Sequence, residues 1–173
     1  MSYGKRGAAL EKAIEQTNLV YKRRGWALID KVPTPWVVQY NKQTHKVKSA
    51  FPGKKGTVDF VGVSQGRSIA FDTKNTNNKT NFPLSNVEQH QIDYLLNHLD
   101  QGGISFFIIA FAKLNEVYYV PITEFHEWWV SAQDGGRKSI PYEWFRLNCD
   151  MVTPGNGVLL DYIQCCKTLQ KAE

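Results

Sequence analysis

The sequence predicts an α/β fold, a mixed central sheet flanked by helices, and three features carry that prediction. Residues 57–74 read as two short apolar-rich strands separated by the turn formers Gln65 and Gly66. Residues 103–111 are almost continuously apolar, as in a central strand covered on both faces. Residues 5–24 and 85–100 carry apolar side chains at helical spacing and supply the covering layers.

In chain order, the first helix (5–24) sets Ala9, Leu10, Ala13, Ile14, Thr17, Val20 and Tyr21 along an uneven stripe, with Glu11 and Glu15 one turn apart on a shared face. A short strand at 26–31 leads to Pro33 and Pro35, which exclude helix and favour extended chain. Residues 36–40 and 46–51 flank a polar stretch, so a second, polar-tipped hairpin is expected there. Its Lys42, Lys46 and Lys48 suit phosphate, while Trp36, Tyr40 and Phe51 either pack the hairpin or stack on exposed bases. Residues 52–56, with Lys54 and Lys55, form a flexible basic approach to the next hairpin.

Residues 75–86 lack any period and read as a surface loop, from which Lys79 reaches toward a phosphate backbone. Ser85 and Glu88 have capping-box spacing and open the second helix, in which Val87, Gln91, Leu95 and Leu99 recur every four residues. Gln91 interrupts that stripe, and it either hydrogen-bonds backbone or faces the acids of the 57–74 hairpin. Residues 116–120 are the expected strand neighbour of 103–111. The stretch 121–131 reads as a helix whose Phe125, Trp128 and Trp129 serve the core or a dimer contact, with His126 structural. Arg137 and Lys138 follow a Gly-Gly loop and suit phosphate, and 158–169 reads as a terminal helix.

With 173 residues, 42% hydrophobic and 13% aromatic, the chain can bury one sizeable core, so a single domain over 1–173 is expected and disorder is excluded. No apolar run reaches the roughly 18 residues of a membrane span, and the first residues lack the apolar segment of a secretory signal. A soluble cytoplasmic protein without membrane contact is therefore expected. Cys149, Cys165 and Cys166 have neither metal-site spacing nor a bridging framework and read as reduced thiols. The net charge of +5 hides an asymmetry: residues 1–56 hold twelve lysines and arginines against three acids, and the remainder nine against thirteen. A basic front end ahead of an acid pair fits a polyanion held by the first part and cut at the second, although a solvated charged face would share the composition.

Folding the 57–74 hairpin about Gln65 and Gly66 sets Asp59 opposite Asp72 and Thr57 opposite Lys74. Opposed β-carbons lie roughly 4.5 to 5.5 Å apart, near enough for two carboxylates to share a divalent cation with oxygen contacts of about 2.0 to 2.1 Å. The strand period puts Lys74 on the same side as Asp72. Aspartate is depleted in strands, and like charges so placed repel, so a bound Mg²⁺, or Mn²⁺ in its place, accounts for the pattern. Alone, the two aspartates read equally as solvated strand residues or turn acceptors.

Asp59 followed by Asp72-Thr73-Lys74 resembles the PD-(D/E)xK core of restriction-endonuclease-like nucleases. The segment from Asp72 through Asn75, Lys79, Phe82, Pro83 and Leu84 to His90-Gln91-Ile92 is similar to the RecU-type Holliday junction resolvases, as are Arg6-Gly7, Leu10-Glu11, Val32-Pro33-Thr34-Pro35 and Gly136-Arg137-Lys138. Two departures stand out. Val58 replaces the proline of the generic motif, and Asp72 stands where the RecU-type pattern has Glu, one methylene longer.

The resemblance implies a restriction-endonuclease-like sheet carrying a protruding β-hairpin stalk at about 33–56, somewhat shorter here than in the family and directed at the junction centre. It also implies a Mg²⁺-dependent endodeoxyribonuclease that resolves four-way junctions as a homodimer, in a bacterial or phage-infected cell. Carried over by position, Asp59, Asp72, Lys74 and Glu11 are catalytic, and Thr57 and Gln91 complete a metal shell begun by Asp59 and Asp72. Glu11 reads equally as an exposed helix acid paired with a lysine, and Glu15 is the fallback. Arg6, Lys42, Lys46, Lys48, Lys54, Lys55, Lys79, Arg137 and Lys138 are the candidate DNA contacts. The rival readings are a non-catalytic junction-binding architectural module and a restriction-like duplex nuclease.

Overall fold

The architecture is built outward from β7 (Ile104–Phe111), every residue of which is buried. In the structure, a computed structural model describing residues 3–53, 57–167 and 169, β5 (Arg67–Thr76) lies parallel to β7 on one side and β8 (Glu116–Pro121) antiparallel on the other. β4 (Phe60–Ser64) closes a hairpin with β5, β1 (Leu28–Lys31) forms one edge and β10 (Asp150–Met151) the other, in the order β1-β4-β5-β7-β8-β10. The β5 to β7 connection must cross over because the strands are parallel, and α2 (Gln89–Asp100) makes that crossing. The predicted mixed sheet with helical layers is the observed one.

The Gln65-Gly66 turn places both residues at positive φ, 49° and 75°, the two-residue geometry that matches strand twist. Its register pairs Phe60 with Phe71 and Gly62 with Ile69. Gly62 is required by close approach to the edge strand: a β-carbon there would lie 2.2 Å from the Leu28 carbonyl oxygen.

Side-chain alternation divides two cores. Ile69, Phe71, Phe106 and Ile108 face α1 (Tyr3–Arg24), where Ile14 and Tyr21 pack with Tyr162. Ala70, Phe107 and Ile109 face α2, α3 (Ile122–Gln133) and α4 (Tyr142–Asn148) through Ile92, Leu95, Phe125 and Phe145. Phe60, Phe71 and Phe106 stack across three adjacent strands at 4.9 and 4.7 Å between centroids. Rings of this size bury large apolar areas, and their offset stacking adds to that gain. Trp128 and Trp129 pack at the margin of the second.

The hairpin of β2 (Trp36–Tyr40) and β3 (Val47–Pro52) pairs only with itself among the described strands, and all its described side chains are exposed. No helix among the described residues is long and apolar enough to cross a membrane.

Several expectations are corrected. The 57–74 hairpin is shorter at its start, because Thr57, Val58 and Asp59 precede β4. The Asp59 carboxylate takes the Thr73 N–H that a continuing ladder would use, so Thr57 does not stand opposite Lys74 in the sheet. The supposed loop 75–86 contains the end of β5, then β6 (Asn81–Pro83) and a 3₁₀ turn at Leu84–Asn86; β6 pairs with the distant β9 (Ser139–Pro141). Glu88, not Ser85, caps α2. Among the described residues of the predicted terminal helix at 158–169, the 3₁₀ turn Tyr162–Cys165 is the helical part. There Asn156 and Gly157 turn the chain at positive φ, and Leu160 N–H donates to Thr17 Oγ1 at 3.3 Å instead of to a helical carbonyl.

Candidate active site

Asp72 is the centre of the polar cluster. Strand alternation turns it toward the α2 face with Ala70, and its side chain is fully buried. Gln91, at the start of α2, donates from Nε2 to Asp72 Oδ2 at 2.7 Å. The same Gln91 accepts the Glu88 N–H through Oε1 at 3.1 Å. The two roles weighed for Gln91 are thus both filled: one end caps the helix and the other holds the acid.

Lys74 Nζ lies 2.6 Å from Asp72 Oδ1. That contact is a buried ion pair at charge-assisted hydrogen-bond distance, and Lys74 accordingly favours the charged form of Asp72. Asp59 sits at the entrance to β4, its carbonyl accepting the Val32 N–H at 2.8 Å. Its Oδ2 accepts the N–H of Thr73 at 2.9 Å and the hydroxyl of Thr73 at 2.6 Å. Asp59 is thereby fixed one residue from Asp72.

Burial pushes the Asp72 carboxyl up to about 7; Lys74 opposes the shift, and the charges of Asp59 and Glu11 add to it. A carboxylate held against its own desolvation gains from a stronger counter-charge than one ammonium provides. The buried Asp72 carboxylate, the fixed Asp59 and their all-oxygen donor set suit a hard divalent cation. Among the described residues no group of three or more His, Cys, Asp or Glu side chains is close enough to hold a metal. Gln91 turns its Nε2 toward Asp72 and its Oε1 toward the Glu88 N–H, so in this arrangement the remaining coordination would come from water and substrate oxygens.

Glu11 is not gathered against the two aspartates as a third carboxylate. Lys31, unassigned by sequence reasoning, sits 2.5 Å from Glu11 and 3.3 Å from Glu15, so Glu11 is paired with a lysine while its charge still acts on Asp72. The missed signal was strand period: Lys31 shares a side with the buried Ile29, which packs toward α1. Thr57 is exposed in the bend before β4.

The candidate DNA contacts divide. Lys42, Lys46, Lys48, Lys79 and Arg137 are exposed. Lys138 instead donates to the Ala132 carbonyl near the end of α3. Arg6 belongs to α1, and its side chain lies outside the described residues, as do Lys54 and Lys55 entirely. The cysteines are free, and burial pushes the Cys149 and Cys165 thiols up to about 12, against any nucleophilic role.

The family profile of RecU, Recombination protein U, matches residues 5–168. The chain belongs to the RecU family. Relatives named Holliday junction resolvase RecU include that of Listeria innocua serovar 6a, 39% identical over 168 residues that cover 95% of this chain and 84% of the relative. That of Oenococcus oeni is 39% identical over 176 residues, covering 96% and 87%. That of Pediococcus pentosaceus is 42% identical over 147 residues, covering 83% and 73%. Among solved structures, Archaeoglobus fulgidus Hjc, a Holliday junction resolvase from an archaeal hyperthermophile, aligns with a TM-score of 0.43 and 11% identity over 75% of this chain and 86% of that one. At that distance it carries no argument about this site.

Proposed function

We infer that this RecU-family protein is an endonuclease that resolves four-way DNA junctions by hydrolysing phosphodiesters. The observation that carries the site assignment is the buried Asp72, gripped by Lys74 and Gln91 and flanked by the anchored Asp59. Asp59 and Asp72 would hold Mg²⁺, or Mn²⁺ in its place, with Thr57 and Gln91 completing the shell through water or, for Gln91, after its amide turns from the Glu88 N–H. When bound, the ion supplies an activated water and offsets charge on the attacked phosphate. Lys74 stabilises the developing anion or orients the water. Gln91 and Thr73 keep the two carboxylates from rotating out of place. Glu11, paired with Lys31 rather than gathered against the aspartates, serves the site from α1 through its charge.

The exposed lysines of β2–β3 and its flanks, together with Lys79 and Arg137, bind phosphates, and the stalk meets the junction centre. A homodimer presents two sites to the two scissile strands. Acting on DNA places the protein in the cytoplasm of a bacterial or phage-infected cell. Nicking of a synthetic four-way junction with and without Mg²⁺, beside linear duplex and flap substrates at matched salt, tests the reading. Asp59→Ala and Asp72→Ala are expected to abolish cleavage while retaining junction binding in EDTA. Cleavage preserved in both would refute the assignment, and binding without any nicking by the unaltered protein would leave an architectural module.

A further inference from the structure

We propose that Lys31 is a positioning residue of this active site, holding Glu11 in place for catalysis; the proposal rests on the site reading above. Lys31 is the last residue of the edge strand β1, on the side that packs against α1. There its ammonium sits between two carboxylates one helical turn apart, 2.5 Å from Glu11 Oε2 and 3.3 Å from Glu15 Oε1. Like charges at that spacing repel on a helix, and a cation between them removes the repulsion and fixes both rotamers.

The next residue makes the arrangement specific to the site. Val32 N–H binds the Asp59 carbonyl at 2.8 Å. Two consecutive residues therefore tie the helix acid and the hairpin acid to one strand end: Lys31 through its side chain and Val32 through its backbone.

A purely structural role is a poor match. The Lys31 side chain is 40% exposed, and ion pairs so exposed contribute little to stability. A phosphate-binding role is also a poor match, since two carboxylates already occupy the ammonium. What remains is placement of Glu11, and displacement of a catalytic group by about 1 Å costs far more in rate than in stability.

The test is a set of single-turnover and binding measurements on the full chain. Lys31→Met is expected to lower the cleavage rate at saturating Mg²⁺ about tenfold or more, to leave junction affinity in EDTA unchanged, and to leave the melting temperature within experimental scatter. Lys31→Arg should restore most of the rate, because it keeps the charge and reaches both acids. Lys31→Met combined with Glu11→Gln should be no slower than Glu11→Gln alone, since residues acting through one another do not add. An unchanged rate in Lys31→Met, multiplicative losses in the double variant, or weakened junction binding in EDTA would each overturn the proposal. So would full activity in Glu11→Gln. Asp59→Ala or Asp72→Ala variants that still cleave would instead remove the site reading itself.

Discussion

Asp72 shows how one buried carboxyl couples stability to function. Its proton affinity is raised, to about 7, so the metal-free folded protein holds this proton where the unfolded chain releases it. The sign follows: the stability associated with protonated Asp72 is fully present below the ordinary carboxyl range and is lost as pH rises through about 7. In EDTA the melting temperature should therefore fall between pH 5 and pH 8 by more in the native protein than in Asp72→Asn. Equal pH profiles for the two would show that the carboxyl ionises without penalty. The nearness of Asp59 to Asp72 was legible because a two-residue turn dictates the register that ends, one residue short of them, at Phe60 and Phe71. The grip of Thr73 on Asp59 was not, since it depends on where the chain leaves the ladder.

At the scale of elements, the β2–β3 hairpin and the C-terminal segment behave oppositely. The hairpin reads directly from alternation and turn residues, because its strands are adjacent in sequence and pair with each other. It presents Lys42, Lys46 and Lys48 to solvent. Replacing all three by alanine should weaken junction binding and reduce the slope of log affinity against log salt by roughly 2 to 3, each duplex phosphate contact contributing about 0.9. An unchanged slope in a salt titration would remove the hairpin from the DNA interface.

The C-terminal segment is decided by partners in α1 more than a hundred residues away, together with one contact of its own. Tyr21 donates to Asp161 Oδ1 at 2.8 Å, Asn156 Nδ2 donates to Asp161 Oδ2 at 2.8 Å, and Tyr162 donates to Asn18 at 2.5 Å. Asp161 is buried, so removing one of its donors leaves a desolvated acceptor. Tyr21→Phe is accordingly expected to destabilise by about 1 to 3 kcal/mol, measured by urea denaturation. An unaffected midpoint would mean that the segment does not hold α1.

For the whole molecule, the arrangement is a six-stranded central sheet with α1 on one face and α2, α3 and α4 on the other, and Asp59, Asp72 and Lys74 lie at the β4–β5 hairpin within it. If two copies present two sites, a mixture of native and Asp72→Ala chains should yield dimers that nick one strand of a junction without resolving it. Nicked product separable from resolved product on native gels reads this out. Resolution undiminished by a large excess of the variant would argue against a paired arrangement.

Sequence alone determined the α/β class, the central strand, the β2–β3 hairpin and the nearness of Asp59, Asp72 and Lys74. Each of these depends on local periodicity, a turn, or residues brought together by one hairpin. Only the tertiary structure decided the pairing of β6 with β9, the irregular course after Val152, and the meeting of Lys31 with Glu11 and Glu15. Those contacts join segments far apart in the chain, and no short-range pattern records which distant group will satisfy a given backbone or charge.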